Sequence, residues 1–205
     1  MTMEDTTVTP SDSMDDADLW RRGVASLTRE FRLLTGEQCN GLRAMLSEAG
    51  HLKEELCRLC DVVGGPAVCA ACGGACCRAG RYHATALDLL AFLATGEPPV
   101  TPDFATGACS FLGGAGCRLA PARRPYNCVI FICDQIDERL ADGEQPRLCT
   151  LERDLRLHLD RMGERFGRRL TESFLCAAAR TDRDGTGMFT LEHESGGSPD
   201  DYRNS

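Results

Sequence analysis

Cysteine spacing is the feature that most constrains this chain. Four cysteines stand within the nine residues from Cys69 to Cys77, written CAACGGACC, and two of them, Cys76 and Cys77, are adjacent. Four kinds of chemistry use thiols at this density: disulfide bonds, a zinc site, an iron-sulfur cluster and reactive redox thiols. Each of them requires different surroundings, so the rest of the chain has to discriminate among them.

The charge distribution argues against nucleic acid as a partner. The formal net charge is −8, and the first basic residue, Arg21, follows six acidic residues. A surface that binds nucleic acid needs a basic stripe to neutralise phosphates, and this chain has the opposite balance.

The hydropathy pattern predicts a cytoplasmic protein with no membrane partner. The N-terminal stretch lacks the basic start and apolar run of a signal peptide, and no segment approaches the roughly 18 apolar residues that span a bilayer. In a reducing cytoplasm, dense thiols bind metals or catalyse reactions more often than they form disulfides. The thirteen cysteines are also odd in number, so disulfides would leave at least one thiol over.

Apolar residues recur at helical spacing before the cysteine cluster. One seam is formed by Trp20, Val24, Leu27, Phe31 and Leu34, and a second by Leu42, Met45, Ala49, Leu52, Leu56 and Leu59. Gly36 separates the seams like a helix C-cap, which predicts an antiparallel helical hairpin; one long helix that tolerates the glycine is the alternative. We expect the seams to pack within the chain, while a homodimer or a protein contact through these helices stays open.

The remaining pattern predicts a mainly α fold with no convincing sheet. Further helices are expected from about Ala84 to Thr95, from Pro125 onward through YNCVIFICDQIDERL, and, as the longest, from about Leu151 to Arg180. The expected architecture is an N-terminal helical hairpin or long helix, an irregular Cys-rich metal-binding core and a long C-terminal helix. The expected divisions are a disordered acidic leader over 1–17, a helical arm over 18–62, a cysteine-cluster metal-binding domain with the C-terminal helix over 63–180, and a flexible tail over 181–205.

The spacing of the cysteines indicates a metal centre. Cys69 and Cys72 are separated by two residues, which is the usual half of a tetrahedral thiolate site. The adjacent Cys76 and Cys77 point in diverging directions, which favours a multinuclear centre or two neighbouring sites. The candidate ligands are Cys69, Cys72, Cys76, Cys77, Cys109, Cys117, Cys128 and Cys133.

Other residues near these ligands are open to two interpretations. On a regular helix Cys133 faces about 140° away from Cys128, so it belongs to a second centre or to packing. Cys57 and Cys60 have C-x2-C spacing at the end of an apolar seam, where ligation and packing are both open, and His83 is the histidine nearest the cluster. The isolated Cys39, Cys149 and Cys176 are expected to be small buried hydrophobes.

Arginines accompany the candidate ligands along the chain: Arg78, Arg81, Arg123 and Arg124. Four thiolates on a divalent ion carry a net negative charge, so guanidinium groups could offset that charge or hold an anionic substrate. The alternative is that they are solvated surface side chains.

The cysteine order resembles that of the YkgJ-type cysteine-cluster proteins, the CxxCxxCC family of zinc- or iron-chelating domains. The resemblance covers about residues 66 to 135: the first cluster, then CSFL from Cys109, then Cys117, then Arg124-Pro125 and Cys128. Three residues separate Cys72 from Cys76 here, where the family name implies two. The resemblance implies a bound zinc or iron centre, and a similar distant branch, the flagellin lysine N-methylases, associates the motif with an iron-sulfur cluster.

Two functions follow as expectations. The first is a metal-binding protein that holds zinc, iron or an iron-sulfur cluster through cysteine thiolates. The second is an enzyme, either an iron-sulfur-dependent methyl-transfer catalyst or a thiol redox protein. The cluster spacing is the reverse of that of radical enzymes that use S-adenosylmethionine, and neither a Rossmann fingerprint nor a thioredoxin-like context accompanies it. An enzyme would therefore draw its chemistry from the metal centre itself.

Overall fold

The computed structural model describes residues 10–73, 77, 80, 82–105, 109–113 and 116–191, with the backbone alone for 10–15. Its helices are α1 (Pro10–Arg32), α2 (Gly36–Val62), α3 (Gly65–Ala71), α4 (Ala86–Leu93), α5 (Tyr126–Ile130), α6 (Asp134–Asp137), α7 (Glu144–Phe166) and α8 (Phe174–Asp184). Two short 3-10 helices lie at Pro121–Arg123 and Arg168–Thr171. The mainly α fold class is confirmed.

Helices α1 and α2 are separate, and the break between them has a local cause. Thr35 is the N-cap of α2: its Oγ1 accepts a hydrogen bond from Gln38 N at 3.3 Å, and Gln38 Oε1 accepts one from Thr35 N at 2.9 Å. This reciprocal pair satisfies two backbone donors and starts a new helix. Gly36 is therefore the first residue of α2, and its predicted role as a C-cap of α1 was wrong.

The two N-terminal helices pack mainly on C-terminal helices. Helix α1 lies against α8 and α4, and helix α2 lies against α7. The apolar seams were located correctly, since Leu27, Leu42 and Leu56 are fully buried. Residues of both seams share one core, and the main helical partners of α1 and α2 are α8 and α7, from a distant part of the chain.

A group of aromatic rings shows that α1 belongs to the main core. Trp20 contacts the rings of Phe104, Phe111 and Phe174 edge-to-face, with centroids 6.0, 5.9 and 4.8 Å away. Such aromatic pairs add about 0.5–1.5 kcal/mol each beyond the burial of their area. The segment predicted as a helical arm thus shares one core with the C-terminal helices.

The long C-terminal helix predicted from the sequence is split into two helices at Gly167. This residue has a φ of +130°, and a Cβ added to it would lie 2.7 Å from Thr190 N. The single helix predicted over 151–180 is therefore divided into α7 and α8, although its apolar residues Met162, Phe166 and Phe174 are buried as expected.

The segment after α8 is fastened to the core as far as residue 191. Met188 is fully buried, and the amides of Met188 and Phe189 donate to Glu30 Oε2 at 2.7 and 3.0 Å. Thr190 N donates to Phe166 O at 2.8 Å. The flexible tail over 181–205 stays a prediction, and residues 192–205 lie outside the described residues.

At the N-terminus, α1 begins at Pro10, within the predicted leader, while residues 1–9 lie outside the described part of the chain.

The helices and strands in the middle of the chain are short and joined by irregular segments. Helix α4 confirms the helix predicted there and has its own capping box, formed by Thr85 and Asp88. The long helix predicted after Pro125 ends at Ile130, and α6 is a second, separate piece. A two-residue antiparallel pairing joins β1 (Leu112–Gly113) to β2 (Gly116–Cys117), in the register Leu112 with Cys117.

Among the described residues, none of the helices combines the length and the apolar character that crossing a membrane requires.

Candidate metal centre

Cysteines from several separated segments lie around the junction of α2, α3, β2 and α5. Helix α3 follows α2 after a sharp turn at Gly64, whose φ is +81°, and packs against α2, α6 and β2. A Cβ on Gly65 would lie 2.8 Å from Cys60 O, so this corner requires glycine. The turn brings the first part of the cysteine cluster back towards the end of α2.

Gly80 packs directly on Cys109. A Cβ placed on Gly80 would lie 2.6 Å from Cys109 Sγ and 3.2 Å from Cys109 Cβ, so only a residue without a side chain fits there. Cys109 is 7% exposed, and half-buried Cys77 packs against the core to which Cys109 belongs. The first and second halves of the cysteine pattern, more than thirty residues apart along the chain, thus meet at this point.

Cys128 is the most strongly perturbed thiol of the group. Burial, first of all, raises its pKa far above the ordinary range, and neighbouring acidic groups add to this shift: Cys109, Asp88, Cys117 and Cys77. His83 Nδ1 lies 3.4 Å from Cys128 Sγ, and burial lowers the pKa of this imidazole. A neutral imidazole and several thiols in one partly buried region are the ligand types that zinc and iron prefer.

Cys57 reaches the same region from α2. Arg124 Nη1 donates to Cys57 Sγ at 3.6 Å, and Arg124 Nε donates to Leu119 O at 3.2 Å. Burial raises the pKa of Cys57, and the charge of Arg124 opposes that shift. Cys117 lies close enough for its charge to raise the pKa of both Cys57 and Arg124. Arg124 is therefore the arginine whose predicted role in offsetting thiolate charge agrees with its contacts.

Cys60 lies one turn further along α2 and is half-buried. Burial raises its pKa to about 11, and Cys57, Asp61 and Cys69 are the acidic groups that add to the shift. The C-x2-C spacing of Cys57 and Cys60 was visible in the sequence. The sequence did not show that α3 and Arg124 pack against this end of α2.

The other predicted ligands are placed as follows. Cys69 is exposed on α3, and half-buried Cys72 donates from Sγ to Cys69 O at 3.4 Å. Cys133 is the half-buried N-cap of α6, which packs against α3. Cys76, Arg78 and Arg81 lie outside the described residues.

Three cysteines stand apart from this region, and their predicted burial was wrong. Cys149 and Cys176 are exposed, and Cys39 is only half-buried.

Arg123 turns away from the cysteine region, towards the end of α4. Its guanidinium donates to Ala91 O and lies over the Phe92 ring, with 5.0 Å between Cζ and the ring centroid.

The side chains lie around a common region without closing on one point. Within the described ranges, no three His, Cys, Asp or Glu side chains converge closely enough to hold a metal ion. The fit to a thiolate-bound metal therefore rests on the donor set, which consists of thiols and an imidazole from several separate segments with the guanidinium of Arg124 beside them. These donors suit zinc and iron equally, since both accept thiolate and imidazole ligands.

A cavity of about 260 Å³ opens beside His83. Its polar lining includes Tyr126, Asn127 and Arg156, and the buried carboxylate of Asp88 contributes to its wall. A small polar molecule in this cavity would touch the imidazole that contacts Cys128.

Comparison with protein-family models, with curated proteins and with solved structures finds no match for this chain.

Proposed function

We propose that this protein binds zinc or iron, the latter also as an iron-sulfur cluster, through thiolates gathered between α2, α3, β2 and α5. The observation that carries the proposal is the meeting of thiols that are distant in sequence: Gly80 makes room for the buried Cys109, and the half-buried Cys128 has Cys77, Cys109 and Cys117 as neighbours. Buried thiols with raised pKa values are poor redox nucleophiles, whereas a bound metal ion displaces their protons. We also propose that the chain is related to the YkgJ-type proteins, because the same cysteines occur in the order that this family shows.

The ligands we propose are Cys69, Cys72, Cys76, Cys77, Cys109, Cys117 and Cys128, with Cys133 as an eighth. The contacts also favour Cys57, Cys60 and His83 as additional candidates. More donors than one tetrahedral ion requires support two sites or a cluster. The guanidinium of Arg124, held by Leu119 O, would offset part of the negative charge that several thiolates bring.

The metal supplies a fixed crosslink between the segments or, as an iron-sulfur cluster, an electron-transfer centre. The chain holds the donors in place with the α2–α3 corner at Gly65 and the close contact of Gly80. Thiolates that bind a metal would also fit the cytoplasmic location we propose, because oxidising compartments convert neighbouring thiols to disulfides.

The test is the metal content and visible spectrum of protein purified without oxygen. Iron and sulfide in stoichiometric amounts, with a brown colour, identify an iron-sulfur cluster, and a colourless protein with stoichiometric zinc identifies a zinc protein. The variants Cys72→Ser, Cys76→Ser and Cys128→Ser should each reduce the bound metal. Cys149→Ser is the matched control, since Cys149 is exposed and lies on α7. Metal-free protein, or a content that these three variants leave unchanged, would refute the proposal.

A second candidate function, an iron-sulfur-dependent methyl-transfer enzyme related to flagellin lysine N-methylases, is favoured by the cavity beside His83. A site for a small molecule next to a metal-binding region is the arrangement that a metal-dependent enzyme requires. The test is incubation of the anaerobically purified protein with S-adenosylmethionine and a lysine-containing peptide, followed by mass spectrometry of the peptide. Methylation that His83→Ala abolishes supports the enzyme, and an unmodified peptide leaves the binding protein as the conclusion.

A further inference from the structure

A second and larger cleft, of about 560 Å³, lies between α2, α4 and the segment 118–123. Its lining, drawn from the described residues, contains none of the cysteines. Leu46, Val100 and Leu119 give it apolar walls. Its size falls within the range of small-molecule sites in proteins.

Three arginines line this cleft, and backbone carbonyls hold each of them in place. Arg43 Nε donates to Ala94 O at 3.2 Å, and the guanidinium of Arg123 donates to Ala91 O. Arg118 Nη2 donates to Thr101 O and Ser110 O at 2.8 and 2.9 Å. Because these bonds restrict the side chains, a ligand would find the cations already oriented.

Carboxylates do not neutralise these cations closely. Arg123 is 3.8 Å from Glu97, and neither Arg43 nor Arg118 forms an ion pair within the part of the chain that the structure describes. By contrast, Arg22, Arg169 and Arg180 hold carboxylates at 3.0, 3.1 and 2.7 Å. Two carboxylates, Glu54 and Glu97, also line the cleft, so its three arginines leave an excess of one positive charge in a chain whose net charge is −8.

Capping of α4 accounts for only part of this arrangement. Arg43 and Arg123 bond carbonyls near the C-terminus of α4, where cations stabilise a helix. Arg118 bonds carbonyls of Thr101 and Ser110, which lie outside that helix. Helix capping therefore leaves Arg118 and the apolar walls unexplained.

We propose that this cleft binds a small organic anion with an apolar body. Its phosphate or carboxylate oxygens accept hydrogen bonds from the guanidinium groups of Arg43 and Arg118, which form oriented, charge-assisted bonds with either group. Its apolar body lies against Leu46, Val100 and Leu119. None of the lining residues is a candidate metal ligand, although Arg118 and Leu119 directly follow Cys117 in the chain.

The probes are phenyl phosphate and benzoate, which share an apolar ring and differ in the anionic group, with inorganic phosphate as the probe that lacks the ring. Binding to the full-length protein as purified is measured by calorimetry or NMR titration at low ionic strength. We expect saturable binding of at least one aromatic anion, and tighter binding of phenyl phosphate than of inorganic phosphate. The stronger of the two aromatic probes identifies the anionic group.

Arg43→Gln and Arg118→Gln should each weaken this binding at least about tenfold, as expected for the loss of a charge-assisted bond. Arg153→Gln, at an exposed position of α7, is the matched control and should leave the binding unchanged. Circular dichroism of each variant shows whether it is folded. If neither aromatic anion saturates folded protein, or if Arg153→Gln weakens binding as much as Arg43→Gln, the proposal is wrong.

Discussion

Lys53 Nζ and Asp88 Oδ1 lie 2.6 Å apart in the interior, where the two side chains are 5% and 7% exposed. Lys53 is the only lysine in the chain. The other oxygen of Asp88 accepts hydrogen bonds from Thr85 N and Thr85 Oγ1, so one carboxylate both caps α4 and pairs with α2. Because Cys57 lies one turn beyond Lys53, and His83 two residues before Thr85, this ion pair joins two sides of the candidate metal centre.

Removal of the lysine should be strongly destabilising. In Lys53→Met the Asp88 carboxylate would remain buried without its cation, and breaking a buried ion pair in this way costs about 3–5 kcal/mol. We expect the free energy of unfolding, measured by urea titration with circular dichroism, to fall by that order. Metal content should fall as well, since the two sides of the region lose their connection.

The matched control is the double variant Lys53→Met/Asp88→Asn. Asparagine keeps an oxygen that can accept from Thr85 but carries no charge, so the double variant should be less destabilised than Lys53→Met alone. An unfolding free energy of Lys53→Met equal to that of the wild type would show that the buried pair contributes nothing.

A methyl group on Gly80 should disturb the cysteine region specifically. The added Cβ would lie 2.6 Å from Cys109 Sγ, too close for either atom to stay in place. Overpacking of this kind typically costs about 1–3 kcal/mol. Gly80→Ala should therefore lower both the free energy of unfolding and the metal bound per chain, measured by denaturant titration and elemental analysis.

Gly143→Ala is the control for this change. Gly143 precedes α7 with ordinary helical backbone angles, and a Cβ there meets no atom within 4 Å. The control variant should keep the metal content and stability of the wild type. Equal metal content in the two alanine variants would contradict the role of the Gly80 contact.

The sequence predicted which faces of the helices are buried better than it predicted their partners. The seam through Leu27 and the seam through Leu42 and Leu56 are buried as the apolar spacing indicated. Their pairing with α8 and α7 was not predictable, because periodicity marks an apolar face without naming what covers it. The break at Gly167 likewise depends on Thr190, whose backbone occupies the space of a side chain.

The candidate site was predictable as a set of residue types, while its arrangement was not. The spacing around Cys69 and Cys72 suggested ligands, yet the contacts of Cys57 with Arg124 and of Cys128 with His83 join residues that are 67 and 45 positions apart. The geometric objection to Cys133 assumed a regular helix. The chain leaves helical geometry at Phe131, whose ψ is 114°, so the direction of Cys133 is independent of Cys128.

The contacts of Cys57 lead to a prediction about α2. Cys57→Ser and Cys60→Ser should each reduce the metal bound per chain if α2 supplies ligands. Arg124→Gln should weaken metal retention in competition with a chelator, because the thiolate charge beside Cys57 and Cys117 would lose its counter-charge. Elemental analysis and chelator titration measure these effects.

Cys176→Ser is the control for both cysteine variants, since Cys176 is exposed on α8. If Cys57→Ser and Cys60→Ser retain as much metal as Cys176→Ser, Cys57 and Cys60 only pack against their neighbours.

Asp184 should make stability depend on pH in acid. Hydrogen bonds from Thr186, to which Arg169 adds another and its charge, lower the pKa of this carboxyl from 3.8 to about 2. A depressed pKa means that the folded chain favours the charged form. The stabilisation is therefore complete above pH 3.8, the value without these contacts, and is lost as the pH falls from there towards 2.

Asp184→Asn should accordingly melt at a lower temperature than the wild type at pH 7, and the difference should shrink as the pH is lowered through this window. Asp142→Asn, at an exposed turn before α7, provides the comparison for the removal of a surface carboxylate. A melting-temperature difference for Asp184→Asn that is constant from pH 7 to pH 2 would show that the charge of Asp184 does not fasten the segment after α8.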